Sequence, residues 1–210
     1  MYERKGKHYS LNEVLDKFIS PLIPDQEVKV DFDGDLIPMS SHRYWTFKEK
    51  GCKCVECGIE GVYFAKERSG GVVSYHFNLY AVDENGQEVL MTKDHIQPKS
   101  KGGRNHIENY QTMCTRCNWV KGHFTGSKLE EIKMYAKSMK ELDVLVLTRL
   151  FIDLNEKLKA RKEELKKSNP NMDFGRDELY SELVHKRKII DRIIQQKEQH
   201  QEQLKENVGR

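Results

Sequence analysis

The sequence predicts an α+β protein: a small metal-stapled segment with strands at its centre, followed by a long helical extension. Three observations lead there. Two Cys-x-x-C pairs, Cys54/Cys57 and Cys114/Cys117, bracket the middle of the chain. Between them, residues 75–82 and 88–92 favour strands and flank Asn85-Gly86, the residue pair preferred in type I′ hairpin turns. From about residue 128 the chain becomes charge-rich, with Leu and Ile recurring at helical intervals.

The elements follow in order. Over residues 9–20, Leu11, Val14, Leu15 and Phe18 stand at helical spacing before Pro21 and Pro24, which predicts a short amphipathic helix. Residues 28–38 alternate apolar and polar side chains around Asp33-Gly34, as a small hairpin or extended segment does. Residues 41–50 form a short helix running into the first cysteine pair at Gly51. The second strand of the central hairpin then delivers the chain to Asp94-His95, and the turn formers of PKSKGGRN predict a loop. The string NWVKGHF opens a helix that Gly122 keeps short. In the extension, Leu147, Phe151, Leu154, Leu158 and Leu165 make one apolar stripe. Leu179, Leu183, Ile190 and Ile193 continue it beyond NPNMDFG. The break containing Pro170 is too short to carry the second helix away, so an antiparallel helical hairpin is expected. Lys186, Lys197 and His200 interrupt the stripe at its far end, which marks an end that frays or meets a partner.

Composition narrows the function classes. With 33% charged and only 37% hydrophobic residues, the chain is surface-rich rather than one thick globule. No apolar run approaches the length of a membrane span, and the N-terminal residues lead into no signal-type apolar core, so a cytoplasmic protein is expected. The formal net charge of +3 says little, but between residues 91 and 127 six Lys and Arg face two carboxylates. Such a local excess suits a phosphate backbone, from which basic side chains displace counterions.

Five cysteines without a secretory signal point to metal ligation rather than a disulfide framework. Each Cys-x-x-C pair can wrap a tight turn around one ion, so Cys54, Cys57, Cys114 and Cys117 are expected to hold a structural Zn²⁺. Cys52 is left over as a thiol beside this knuckle.

The strings CVECG, KDHIQPKSKGG and ENYQTMCTRCNWVKG, taken in that order, resemble the HNH endonuclease family over about residues 51–123, and most closely its phage and bacterial branch with four cysteines. The resemblance implies a small ββα-metal fold in residues 51–127, an N-terminal segment 1–50 packed on it, and the helical extension 128–210. It implies that Asp94 and Asn118 hold a catalytic divalent ion, Mg²⁺ or Mn²⁺. It makes His95 the general base for water, an imidazole that can serve near neutral pH. Asn109 would orient His95 or brace the loop. Many family members have His where this chain has Asn118. The residues expected to contact phosphate are Lys99, Lys101, Arg104, Lys121 and His123, with DNA as the partner and a bacterial or phage-infected cell as the setting. His42 and His106 are expected on the surface. The competing expectation is a zinc-stabilised DNA- or protein-binding module without turnover. The C-terminal helices are candidates for homodimerisation or for docking a protein partner.

Overall fold

The computed structural model describes residues 2–21, 29–70, 74–169 and 171–208. Pro24, Val28 and Pro170, which enter the expectations above, lie outside those residues. The chain divides into two compact units, Met1–Trp119 and Val120–Arg210. No described helix is long and apolar enough to cross a membrane.

The first unit runs through β1 (Tyr2–Tyr9), α1 (Leu11–Leu15), β2 (Lys29–Phe32), β3 (Asp35–Pro38), α2 (His42–Lys50), β4 (Gly61–Ser69), β5 (His76–Val82), β6 (Glu88–His95) and β7 (Tyr110–Cys114) into α3 (Thr115–Lys121). Five strands make one antiparallel sheet in the order β1-β4-β5-β6-β7, and β2 and β3 make a separate hairpin. The core is aromatic. Tyr9, Phe32 and Phe77 pack edge to face on one another and Phe64 packs edge to face on Phe77, while Phe47, Leu79 and Met91 complete the cluster.

The first helix is shorter than the 9–20 pattern suggests. A capping box starts it, with Glu13 N–H donating to Ser10 Oγ and Ser10 N–H to Glu13 Oε2, and only Val14 is buried. The expectations for 28–38 and 41–50 match β2–β3 and α2. Ser41 caps α2, and Gly51, at φ +80°, ends it.

One turn assignment is corrected. The type I′ geometry belongs to Asp33-Gly34, both at positive φ, not to Asn85-Gly86. In the β5–β6 hairpin only Gly86 has positive φ, and its N–H donates to Asp83 O. Asp83 Oδ1 also accepts from the N–H groups of Asn85 and Gln87, so the side chain sets a three-residue loop.

Strands β1 and β4 carry no simple alternation because charges hold them together. Arg4 Nε donates to Glu67 Oε1 at 2.8 Å, and Arg68 pairs with Glu3 across the same ladder. Lys66 and Glu67 are nonetheless buried. Lys66 Nζ reaches Asp35 Oδ2 at 2.6 Å and Phe32 O at 2.9 Å, and Glu67 also accepts from Asn78 and Tyr80.

Strand β6 changes partner half-way. Glu88–Leu90 pair with β5, whereas Met91–His95 pair with β7. The end that carries Asp94 and His95 is therefore held by β7.

The second unit contains α4 (Gly126–Lys140), α5 (Val144–Ser168) and α6 (Glu178–Val208). The predicted hairpin is α5 and α6, antiparallel and tied near its turn by Arg161–Asp177 and further along by Arg187–Asn155. A third helix, α4, packs on α6 and corrects the two-helix expectation. Ile132, Leu147, Leu154, Leu158, Leu165, Ile190 and Ile193 are buried, but Leu179 stands exposed at the start of α6. Lys186 pairs with Glu182 and lies over the Tyr135 ring, so this interruption of the stripe is a packing contact.

Candidate functional site

The four cysteines meet. Cys54 and Cys57 occupy a turn after α2 in which Gly58 N–H donates to Cys54 O and Cys54 N–H to Ile59 O. Val55 N–H donates to Thr112 O at 3.0 Å, which pins this turn to β7. Cys114 ends β7 and Cys117 lies in the first turn of α3. All four Sγ atoms fall within 4.8 Å of one another, and Cys57 Sγ lies 3.8 Å from Cys114 Sγ. Four thiolates at about 2.3 Å from one tetrahedral ion are separated by roughly 3.8 Å, so the cluster fits Zn²⁺. Hydrogen bonds from Cys117, side chain and backbone, lower the pKa of the Cys114 thiol against burial, while the same closeness raises that of Cys117, and burial together with that closeness raises that of Cys57, as expected of thiols crowded together. Cys52 stays outside the cluster as a buried thiol directed at Phe47 O, where burial pushes it up to about 11.

The last two residues of β6 face opposite ways, as strand alternation requires. Asp94 shares a face with its cross-strand partner Gln111, whose Nε2 donates to Asp94 Oδ2 at 2.8 Å. Thr92 lies on that face too, and its Oγ1 accepts from Asn118 Nδ2 at 2.9 Å while donating to Met113 O. Asn118 is thereby tethered two residues from Asp94, a rise of roughly 6.6 Å along the strand. With Nδ2 committed to Thr92, Oδ1 is its atom suited to a cation. One carboxylate and one carboxamide oxygen fit a hard, water-rich divalent ion.

His95 lies on the other face. Its ring meets the edge of Tyr110 at 5.0 Å between centroids, and its Nε2 lies 2.9 Å from Asn105 Oδ1. A carboxamide oxygen only accepts, so Nε2 is the donor in this contact. Asn109 braces the loop. Its Oδ1 accepts from Gln97 N–H at 2.8 Å, and its Nδ2 donates to Gln97 O and Arg104 O. Between these anchors the chain turns so tightly that a Cβ on Gly103 would stand 1.8 Å from Gln97 O.

The phosphate set divides. Lys99 and Lys101 form an exposed 3-10 turn, and Arg104 is exposed beside it. Lys121 is corrected: it is 4% exposed and withdrawn from solvent. His123 belongs to the helical unit, where its Nε2 lies 3.1 Å from Ser181 Oγ. His42 is also corrected, because its Nδ1 meets Tyr110 OH at 3.0 Å and burial lowers its pKa. His106 accepts from Glu108 N–H and stands near the Trp45 ring. Asn105, His42 and Tyr110 escape a motif reading because the fold brings His42 and Tyr110 together and Asn105 lies among turn formers in a loop.

Residues 83–133, roughly a quarter of the chain, match the family model described as HNH endonuclease. This segment matches an HNH endonuclease domain. No curated protein and no solved structure matches the chain. The HNH match starts at the β5–β6 turn and ends within α4, so it includes Asp94, His95, Asn109, Cys114, Cys117 and Asn118. Cys54 and Cys57 lie outside the HNH match but share the cluster with the two cysteines inside it. Arg116 of the HNH segment pairs with Asp83 at 2.7 Å, joining α3 to the turn that precedes β6.

Proposed function

We propose that the protein is a metal-dependent endonuclease that hydrolyses phosphodiester bonds in DNA at the end of β6. Support comes from one arrangement inside the HNH match: Asp94 and Asn118 on one face of the strand end and His95 on the other, so that a phosphate lying across the end meets both. Asp94 and Asn118 would hold Mg²⁺ or Mn²⁺, and the four cysteines Zn²⁺. When bound, the divalent ion supplies charge stabilisation for the phosphate and the leaving oxygen. His95 takes the proton of the attacking water, and Asn105 holds its ring through Nε2. Asn109 holds the loop that carries Asn105 in register with the strand end. Lys99, Lys101 and Arg104 contact the DNA backbone around the cut.

Supercoiled plasmid with Mg²⁺ or Mn²⁺ tests this. His95→Ala should lower cleavage by about 10²- to 10⁴-fold, the usual worth of a general base. Equal cutting by mutant and parent would remove His95 from its role. Duplex DNA, single-stranded DNA and RNA compared in one buffer define the substrate class, and a chain that binds duplex yet cuts none of the three is a zinc-stabilised binding module instead.

A further inference from the structure

We propose that Lys93 holds the scissile phosphate from the side opposite the ion, an assignment that rests on the nuclease reading above. Val89, Met91, Lys93 and His95 point to the same face of β6, and the first two belong to the core. Lys93 continues this buried stripe as a half-buried cation. Its Nζ lies over the Tyr110 ring, 4.2 Å from the centroid, and it makes no ion pair with a carboxylate among the described residues.

Two other cations withdrawn from solvent in this unit have carboxylate partners, whereas Arg43 has the Asn78 carboxamide. Lys66 is matched to Asp35, and Arg4 to Glu67 and Glu88. Around Lys93 the charged neighbours are the cations Lys99 and Arg43, with Asp94 directed to the far face of the strand. A cation drawn out of water beside other cations is unfavourable unless an anion joins it. A cation–π contact offsets only part of that cost.

The surroundings say where the anion sits. The Tyr110 ring that carries the ammonium also carries the His95 imidazole, and His42 fixes that ring through its hydroxyl. Arg43 is held nearby by Asn78, itself bonded to the buried Glu67. An anion reaching Lys93 Nζ therefore lies beside the base. A phosphodiester is the anion that the neighbouring groups recognise, gripped by the lysine on one side of the strand end and by Asp94 and Asn118 through the ion on the other.

The test uses the zinc-loaded full chain and its Lys93→Met and Lys93→Arg variants. Methionine keeps the stem on Tyr110 and removes the charge; arginine keeps the charge. Two quantities are measured: the saturated cleavage rate on a short duplex with Mg²⁺, and the salt dependence of duplex binding with Ca²⁺ in place of Mg²⁺. Lys93→Met should lower the saturated rate about 100-fold, as losing one donor to a charged transition state does. It should also reduce the slope of log affinity against log salt by about 0.9, one phosphate contact. Lys93→Arg should restore the slope. Parental rate in Lys93→Met overturns the assignment, and so does an unchanged slope. A lower slope with full rate places the lysine on a phosphate remote from the cut and overturns it as well. Loss of zinc by Lys93→Met marks a structural side chain and likewise overturns the assignment. If the parent cuts no duplex, the nuclease reading fails separately, and the slope still decides whether Lys93 holds a phosphate.

Discussion

The two units reach stability by different routes. The first brings together charges and thiols: four cysteines, a buried Lys66–Asp35 pair, and Glu67 shared among Arg4, Asn78 and Tyr80. The second repeats one device, with Leu and Ile from α5 and α6 meeting along their length and α4 packed on α6. Directional interactions specify where a side chain points; aliphatic burial mainly specifies that two surfaces meet. The strand end at which hydrogen bonds direct Asp94, His95 and Asn118 lies in the unit built the first way.

Stripping a metal from the four-cysteine cluster should break the comparison most. Structural zinc contributes on the order of 10 kcal/mol to small domains, so chelation under mild denaturation, or Cys114→Ser, should abolish near-ultraviolet circular dichroism from the aromatic core. The helical signal of the second unit should largely survive. Coincident loss of both signals would show that the units do not melt independently.

Glu67→Ala comes next. It strands Arg4, Asn78 and Tyr80 around a buried gap and should cost about 3–5 kcal/mol in urea titrations read by tryptophan fluorescence. An effect below about 1 kcal/mol, the scale of an exposed pair, would mean that the charged network does little for the sheet. In the second unit, Leu158→Ala should cost about 2–3 kcal/mol, read by helical dichroism, with bound zinc unchanged. A change in zinc content would join what the comparison separates.

These differences also explain what could be read in the sequence. The aliphatic stripe on α5 and α6 and the Cys-x-x-C pairs are local patterns, and both led to the right elements. Asp94 at the end of β6 and the short α3 ending at Gly122 were legible in the same way. Strands β1 and β4 were not, because Arg4, Lys66, Glu67 and Arg68 find their partners far along the chain, and a charged residue in isolation reads as solvent-exposed. Within the candidate site, the tethering of Asn118 by Thr92 and the role of Asn105 beside His95 depend on which side chains the β6–β7 register brings level. Lys121 misled for the converse reason: its charge suggested the surface, and the fold buries it.

The smallest predicted effect concerns acid. In the second unit, His185 packs on Phe124 with its Nε2 2.8 Å from Val120 O, and a Cβ on Gly122 would stand 2.8 Å from its ring. Burial lowers its pKa below the ordinary 6.5, so the unfolded chain takes up the proton first. Its contribution is complete above about pH 6.5 and is lost as pH falls toward the lower folded value. Thermal melts of the helical signal should decline by a few degrees across that window, and His185→Gln, which keeps an N–H for Val120, should remove the decline. In the first unit, Arg4 holds the Glu88 carboxyl down to about 2, so that contribution is lost only at strongly acidic pH. Equal acid sensitivity of the two signals would sink this distinction.

The divided pairing of β6 has a consequence for descent. Because the outer half of that strand bonds only to β7, the β6–β7–α3 piece is closed by its own ladder and ends in two of the four sulfurs. Any neighbouring scaffold that offers a short edge and a second pair of cysteines can receive such a piece. The family match includes that piece and omits β1 to β5.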